Sequence, residues 1–227
     1  TVSNASDHTL YAQWTANDMD CGSNVTFTYN GDSVTYGVVG NPDTGECWLD
    51  RNLGASQVAT AYNDSNAYGD LFQWGRLDDG HQVRTSDNTS SHSSNDVPGH
   101  DDFITGDDLS THDWRNPQND TLWQGTSGTN NPCPSGFRIP TEAEWEAERT
   151  SWGANNNYNG AYASPLKLTV AGNRNYFGSV ASEGNSGYYW SSTVESTHSR
   201  NLGVGSSGAR MNSNYRANGY SIRCIKD

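Results

Sequence analysis

Four cysteines, six histidines and three pairs of neighbouring aspartates are the side chains of this 227-residue chain with the most chemistry to offer. Their spacing encodes little catalysis. His8, His81, His92, His100, His112 and His198 never fall into H-E-x-x-H, the helical pattern that binds zinc beside a general base. No G-x-S-x-G elbow exposes a serine for nucleophilic attack. Cys21, Cys47, Cys133 and Cys224 contain no C-x-x-C pair, which argues against a zinc site. Asp78-Asp79, His100-Asp101-Asp102 and Asp107-Asp108 could supply hard oxygen ligands to a structural calcium, although none follows an EF-hand loop. A solvated acidic loop is the alternative. The expectation is a chain with no catalytic residue and no certain cofactor, with calcium as the open metal.

Recognition chemistry is richer. Ser196 to Ser221 is a run of Ser, Asn, Gly, Arg, Tyr and His. It holds no Lys, Glu, Gln or Trp, although those four types supply 23 of the 227 residues; about three would be expected in such a window at the chain's own composition. An N-N-pyrimidine codon cannot encode them, whereas Asn, Ser, Tyr, His, Asp, Gly and Arg all arise from scrambling the adenines of an Asn codon. The run reads as an Asn-rich template with substitutions laid over it; a plain polar loop is the alternative. Codon logic selects Ser196, His198, Ser199, Gly203, Gly205, Ser207, Gly208, Arg210, Ser213, Asn214, Tyr215 and Tyr220 as ligand-contact candidates. Tyr supplies amphipathic area at low entropic cost, Arg a fork of donors, and Ser and Gly adaptability. Tyr215, Tyr220 and Arg210 are the expected energetic anchors.

Such a patch needs a rigid frame. Only 32% of residues are hydrophobic, but eight Trp, twelve Tyr and five Phe allow a core built on aromatics, and 24 glycines point to a loop-rich fold. The formal net charge of −13 argues against a nucleic-acid partner. No apolar run approaches membrane-spanning length, so direct membrane insertion is not expected. Three pairings of the cysteines are open. Cys133–Cys224 and Cys21–Cys47 are favoured because each pair flanks a coherent block, and two disulfides would imply an oxidising, extracellular setting; four buried thiols are the alternative.

Along the chain, Val25–Tyr29 and Val34–Val39 alternate about Asn30-Gly31-Asp32, the strongest short hairpin signal. Cys47 to Gly54 reads as a strand entering a turn, and Ala55 to Tyr62 as a short helix. Leu77 to Thr129 is polar and reads as one long surface excursion. Thr141 is a good N-cap with Glu144 completing a capping box, which predicts a helix ending near Trp152-Gly153. Asn155 to Asn157 reads as a loop. Leu166–Gly172, Tyr176-Phe177, Gly187–Thr193 and Tyr220–Asp227 read as strands, and the run between the last two as a long irregular segment held at both ends.

Five motifs in order carry a resemblance: Trp48-Leu49-Asp50-Arg51-Asn52-Leu53; Tyr68-Gly69-Asp70-Leu71-Phe72-Gln73-Trp74-Gly75; Cys133 to Trp145; Gly187-Tyr188-Tyr189-Trp190-Ser191-Ser192; and Ile222-Arg223-Cys224-Ile225-Lys226-Asp227. Over roughly Asp20 to Asp227 they resemble the Fibrobacter succinogenes major paralogous domain and the wider C-type lectin-like group that includes the formylglycine-generating enzyme fold. The polar run before Ile222 resembles the variable region of diversity-generating retroelement proteins. The resemblance implies an α+β, C-type lectin-like fold over residues 17–227, with short antiparallel sheets, two short helices and long loops, and a variable region at about 195–221. It implies a receptor- or ligand-binding display domain on a cell surface or virus particle, whose partner is an unknown protein or surface ligand. A non-catalytic structural surface module is the alternative. A formylglycine-generating-type oxidase is a third reading, but it would need a cysteine pair near the C-terminus where only Cys224 stands. The strand Thr9 to Trp14 resembles the closing strand of a Listeria–Bacteroides repeat, so residues 1–16 read as the remnant of an upstream surface repeat, with further domains before them.

Overall fold

The computed structural model describes residues 21–106 and 110–227. The upstream-repeat strand at residues 1–16 lies outside them. Over the described residues the chain is mostly sheet with two short helices, an α+β arrangement.

β1 (Val25–Tyr29) and β2 (Asp32–Tyr36) form the expected hairpin. Tyr29 pairs with Asp32, so the loop is Asn30-Gly31 alone. Both residues have positive φ, 49° and 86°, as a two-residue turn matching the strand twist requires. β3 (Val38–Asn41) does not continue β2. It turns away at Gly37 and pairs with β4 (Glu46–Leu49). Residues 55–62 form no helix; only a 3-10 turn at Ser65–Ala67 follows, capped by the Asp64 side chain. β5 (Phe72–Gln73) comes next.

Among its described residues the polar stretch 77–129 has almost no regular structure, only the paired dipeptides β6 (Asn88–Thr89) and β7 (Phe103–Ile104). It is nevertheless not a surface excursion. Ile104, Trp114, Leu122 and Trp123 are buried in the main core, and Phe103 is buried under Arg174. The isolated apolar residues of a polar loop supply that core at wide intervals, which leaves no periodicity to read.

β8 (Phe137–Arg138) leads into α1 (Glu142–Ser151), whose capping box is complete: the Glu144 amide donates to Thr141 Oγ1 and the Thr141 amide to the Glu144 carboxylate. α2 (Tyr158–Ala163) begins at an N-cap, Asn157, within the stretch expected to be loop. β9 (Ala171–Arg174) starts only at Ala171; Leu166 lies in a turn, Lys167 is half-buried with a positive φ of 51°, and Leu168, Thr169 and Val170 are buried but pair in no sheet. Tyr176-Phe177 forms a turn between β9 and β10 (Val180–Glu183), with Phe177 55% exposed.

The largest sheet is completed by β11 (Gly187–Glu195), β12 (His198–Gly205), β13 (Gly208–Tyr215) and β14 (Gly219–Tyr220), in the order β13-β12-β11-β9-β14-β5 with β10 on β9. β15 (Ile225–Lys226) joins the smaller sheet β3-β4-β15-β8.

The frame is pegged by indole N–H groups. Trp190 donates to the Phe72 carbonyl at 2.7 Å, Trp145 to Trp190, Trp74 to Ser191, Trp114 to Trp74 and Trp123 to Asn130. Buried backbone carbonyls in irregular segments need donors, and here tryptophans supply them while filling the core. Arg223 works the same way at the chain end. Fully buried, it donates to Asn52 Oδ1, Leu49 O and Leu166 O, with burial lowering its pKa to about 10. Cys21–Cys47 and Cys133–Cys224 are both disulfides, with sequence separations of 26 and 91. They fit an oxidising, extracellular-type environment. No helix among the described residues is long and apolar enough to cross a membrane.

Candidate functional site: the outer face of the β11–β12–β13 meander

The stretch read as an irregular segment is a regular meander. Glu195 pairs with His198 across Ser196-Thr197, and Gly205 pairs with Gly208 across Ser206-Ser207, so both loops are two residues long. Gly, Ser and Asn do not favour strands on their own. Pairing with the aromatic β11 supplies what local preference lacks.

Alternation then divides the tip half of the meander into two faces. Tyr189, Leu202, Val204, Ala209 and Met211 pack with Trp145 and Trp152 of the α1 region and Ala161 of α2. Tyr188, Gly203, Arg210 and Asn212 point the other way. They line a polar trough of about 300 Å³, closed by Ser186, Gly205, Ser207 and Gly208. Tyr188 pairs with Gly203 and is stacked on Tyr220 at 5.1 Å. Arg210 Nε donates to Asn212 Oδ1 at 2.9 Å, and Asn212 Nδ2 donates back to the Arg210 carbonyl at 3.3 Å. A Cβ on Gly203 would stand 2.5 Å from Asn212 Nδ2, so the absent side chain is what lets Asn212 lie over β12 and hold the guanidinium.

The base of the meander carries a different surface. Tyr215 packs between His112 at 4.4 Å and His198 at 4.7 Å, with Tyr176 at 5.4 Å and the exposed Phe177 beyond it. Desolvation lowers the His198 pKa, aided by the Arg216 charge and opposed by Glu195. Arg216 is buried; it pins this end by donating to Ser196 O and to Asp120, and packs over Trp74.

The twelve residues selected by codon logic divide three ways. Ser196, Ser207, Arg210 and Ser213 are exposed. His198, Gly205, Gly208, Asn214 and Tyr215 are half-buried, Asn214 donating to Asn201 Oδ1. Ser199, Gly203 and Tyr220 are buried, which corrects their assignment as contact side chains. Tyr220 is 4% exposed, stacks on Trp190 at 4.4 Å, and has its pKa raised by burial. It is a core residue, and of the three expected anchors only Arg210 and Tyr215 reach the surface. Codon logic missed Ser186, Tyr188 and Asn212 in the trough and His112, Tyr176 and Phe177 at the base. Tyr176-Phe177 sits between Asn175 and Gly178, a turn signal that would have exposed both rings. Nothing local marks Ser186, Tyr188 or His112.

The acidic clusters are spread out. Asp78 accepts from the Asn30 amide. Asp79 takes Arg76 at 2.8 Å and the His81 Nδ1–H at 2.5 Å, while His81 Nε2 accepts from the Gln73 amide. The His81 tautomer is thereby set, and burial beside Arg76 lowers its pKa to about 3 despite the Asp79 carboxylate. Burial opposes ionisation of Asp79, but bonds from His81 and Arg76 outweigh it and bring its pKa to about 2. Among the described residues no three His, Cys, Asp or Glu side chains converge as a metal site; Asp107 and Asp108 lie outside them. No free cysteine is present among the described residues, Cys133 and Cys224 being bonded to each other.

No family model, no curated protein and no solved structure matches the chain.

Proposed function

We propose that the chain is a display domain: a C-type lectin-like scaffold that presents the exposed residues of the β11–β12–β13 meander and its two loops to an external protein or surface ligand, and that these residues are diversified by a retroelement. The observation that carries the reading is the separation of patch from frame. Ser196, Ser207, Arg210 and Ser213 leave the surface without filling any part of the core, while the strands that bear them are held from behind by α1, α2 and Tyr189. A surface of this kind can be rewritten without unfolding what supports it. The bonded state of Cys133 and Cys224 supports a non-catalytic reading over an oxidase that needs a reactive thiol pair.

The test is a library randomised at Ser196, His198, Ser207, Arg210, Ser213 and Tyr215. The expected outcome is that most members keep the parental Tm and that binders to unrelated proteins can be selected. General loss of folding would overturn the reading. Sequencing the DNA beside the coding region checks the second half. An Asn-codon-rich near-copy differing at adenines, next to a reverse transcriptase, is expected; its absence would leave a fixed binding or structural module.

A further inference from the structure

The trough at the meander tip has a charge that nothing in the protein uses. Every other arginine among the described residues is committed. Arg51, Arg84, Arg115, Arg138, Arg149 and Arg200 each pair with a carboxylate within 3.0 Å. Arg76 and Arg216 are buried and paired. Arg174 and Arg223 are buried on carbonyl and side-chain oxygens. Arg210 alone is exposed with no described carboxylate partner; its Nε is held by Asn212 Oδ1 and its two Nη groups have no described acceptor. In a chain of net charge −13, a guanidinium kept away from carboxylates and oriented by a neighbour is unusual.

We propose that this trough binds a sugar acid, with the ligand carboxylate on the Arg210 Nη pair and the sugar ring lying along Tyr188 over Gly203 and Gly205. The proposal rests on the display reading and names the ligand class of its tip. A guanidinium fork matches a carboxylate bidentately. One fixed positive charge on a strongly acidic molecule suits a monoanion better than a phosphate dianion or a polyanionic nucleic acid. The polar side chains left in the wall are the Ser186 and Ser207 hydroxyls and the Asn212 amide, with the Tyr188 ring as the one large flat surface. Hydroxyls and an amide around an aromatic plane fit a polyhydroxylated ring, whose C–H face stacks while its rim exchanges hydrogen bonds. Val204 and Ala209 also line the trough, but their side chains are packed in the core behind it, so an acidic peptide would find no deep apolar pocket beside the charge.

Gly203 is a positioning residue in this scheme. Any side chain there displaces Asn212, and with it the orientation of Arg210.

The experiment is NMR titration of the isotope-labelled protein with D-glucuronate, D-glucose, acetate and a glutamate-rich peptide, following the Gly203, Gly205 and Arg210 signals. Glucuronate is expected to give saturable shifts there, with glucose and acetate at least tenfold weaker. Arg210→Ala should weaken glucuronate about tenfold or more. Gly203→Ala should weaken it with Arg210 still present. No response to glucuronate, equal response to glucose or acetate, or preference for the peptide would each overturn the proposal. Variants randomised at Ser207, Arg210 and Ser213 separate the two failures. Native-like spectra without any glucuronate response in the parent end the sugar-acid assignment and leave the display reading standing; unfolded variants end both.

Discussion

The two faces of the tip half of the meander are made from the same three strands, yet they obey different rules. The inner face is Tyr189, Leu202, Val204, Ala209 and Met211, closed against Trp145, Trp152 and Ala161. The outer face is Tyr188, Gly203, Arg210 and Asn212, with glycines and serines at the rim and solvent beyond. A substitution on the inner face changes packing density. One on the outer face changes what the surface offers a partner. What separates the faces is only the period-2 alternation of a strand, so a single residue can belong to frame or patch according to its parity.

The sharpest way to break this contrast is to remove what holds the frame. Replacing Cys133 and Cys224 by serine opens the link with a separation of 91 residues and should cost about 4.6 kcal/mol, against about 3.5 kcal/mol for Cys21–Cys47, read from denaturant midpoints. Negligible losses at both would mean the aromatic core holds the frame unaided. Next in size is Tyr220→Ala. As a core residue stacked on Trp190 and Tyr188, it should lose about 3 kcal/mol or more. A variant with unchanged Tm and lost binding would return Tyr220 to the patch.

Acid should act on the frame and spare the patch. His81 is neutral in the folded protein with its pKa lowered from 6.5 to about 3, so the unfolded chain binds the extra proton. Stability should fall as the pH drops from about 6.5 toward 3. Asp79, lowered from 3.8 to about 2, extends the loss further down. His81→Gln should flatten the upper part of that profile. The smallest effect is expected at exposed positions of the meander: Ser207→Ala, Arg210→Ala and Ser213→Ala should each change stability by no more than about 0.5 kcal/mol. A loss of 2 kcal/mol at Arg210 would show that its contact with Asn212 belongs to the frame.

Some of this is legible in the chain and some is not. The Asn30-Gly31 hairpin and the Thr141–Glu144 capping box are readable because the hydrogen bonds that define them join residues within a few positions. The α2 cap at Asn157 carries a comparable local signal, hidden within a run of three asparagines. The Ser196–Ser221 run has no apolar period of its own, and its strands exist because β11 offers them a partner. Tyr215 and Tyr220 have the same side chain five positions apart. One meets two histidines near the surface and the other meets Trp190 in the core, a difference set by segments from elsewhere in the chain.

By itself the sequence determined the short-range structure, the pairs of cysteines to favour, the aromatic character of the core and the stretch where recognition residues gather. The tertiary structure alone decided which of those residues face water, that Gly203 makes room for Asn212, and that Arg210 is left without a carboxylate. The reason is physical. Turns and caps are settled by bonds between near neighbours, whereas burial, parity and unpaired charge depend on what distant segments bring alongside.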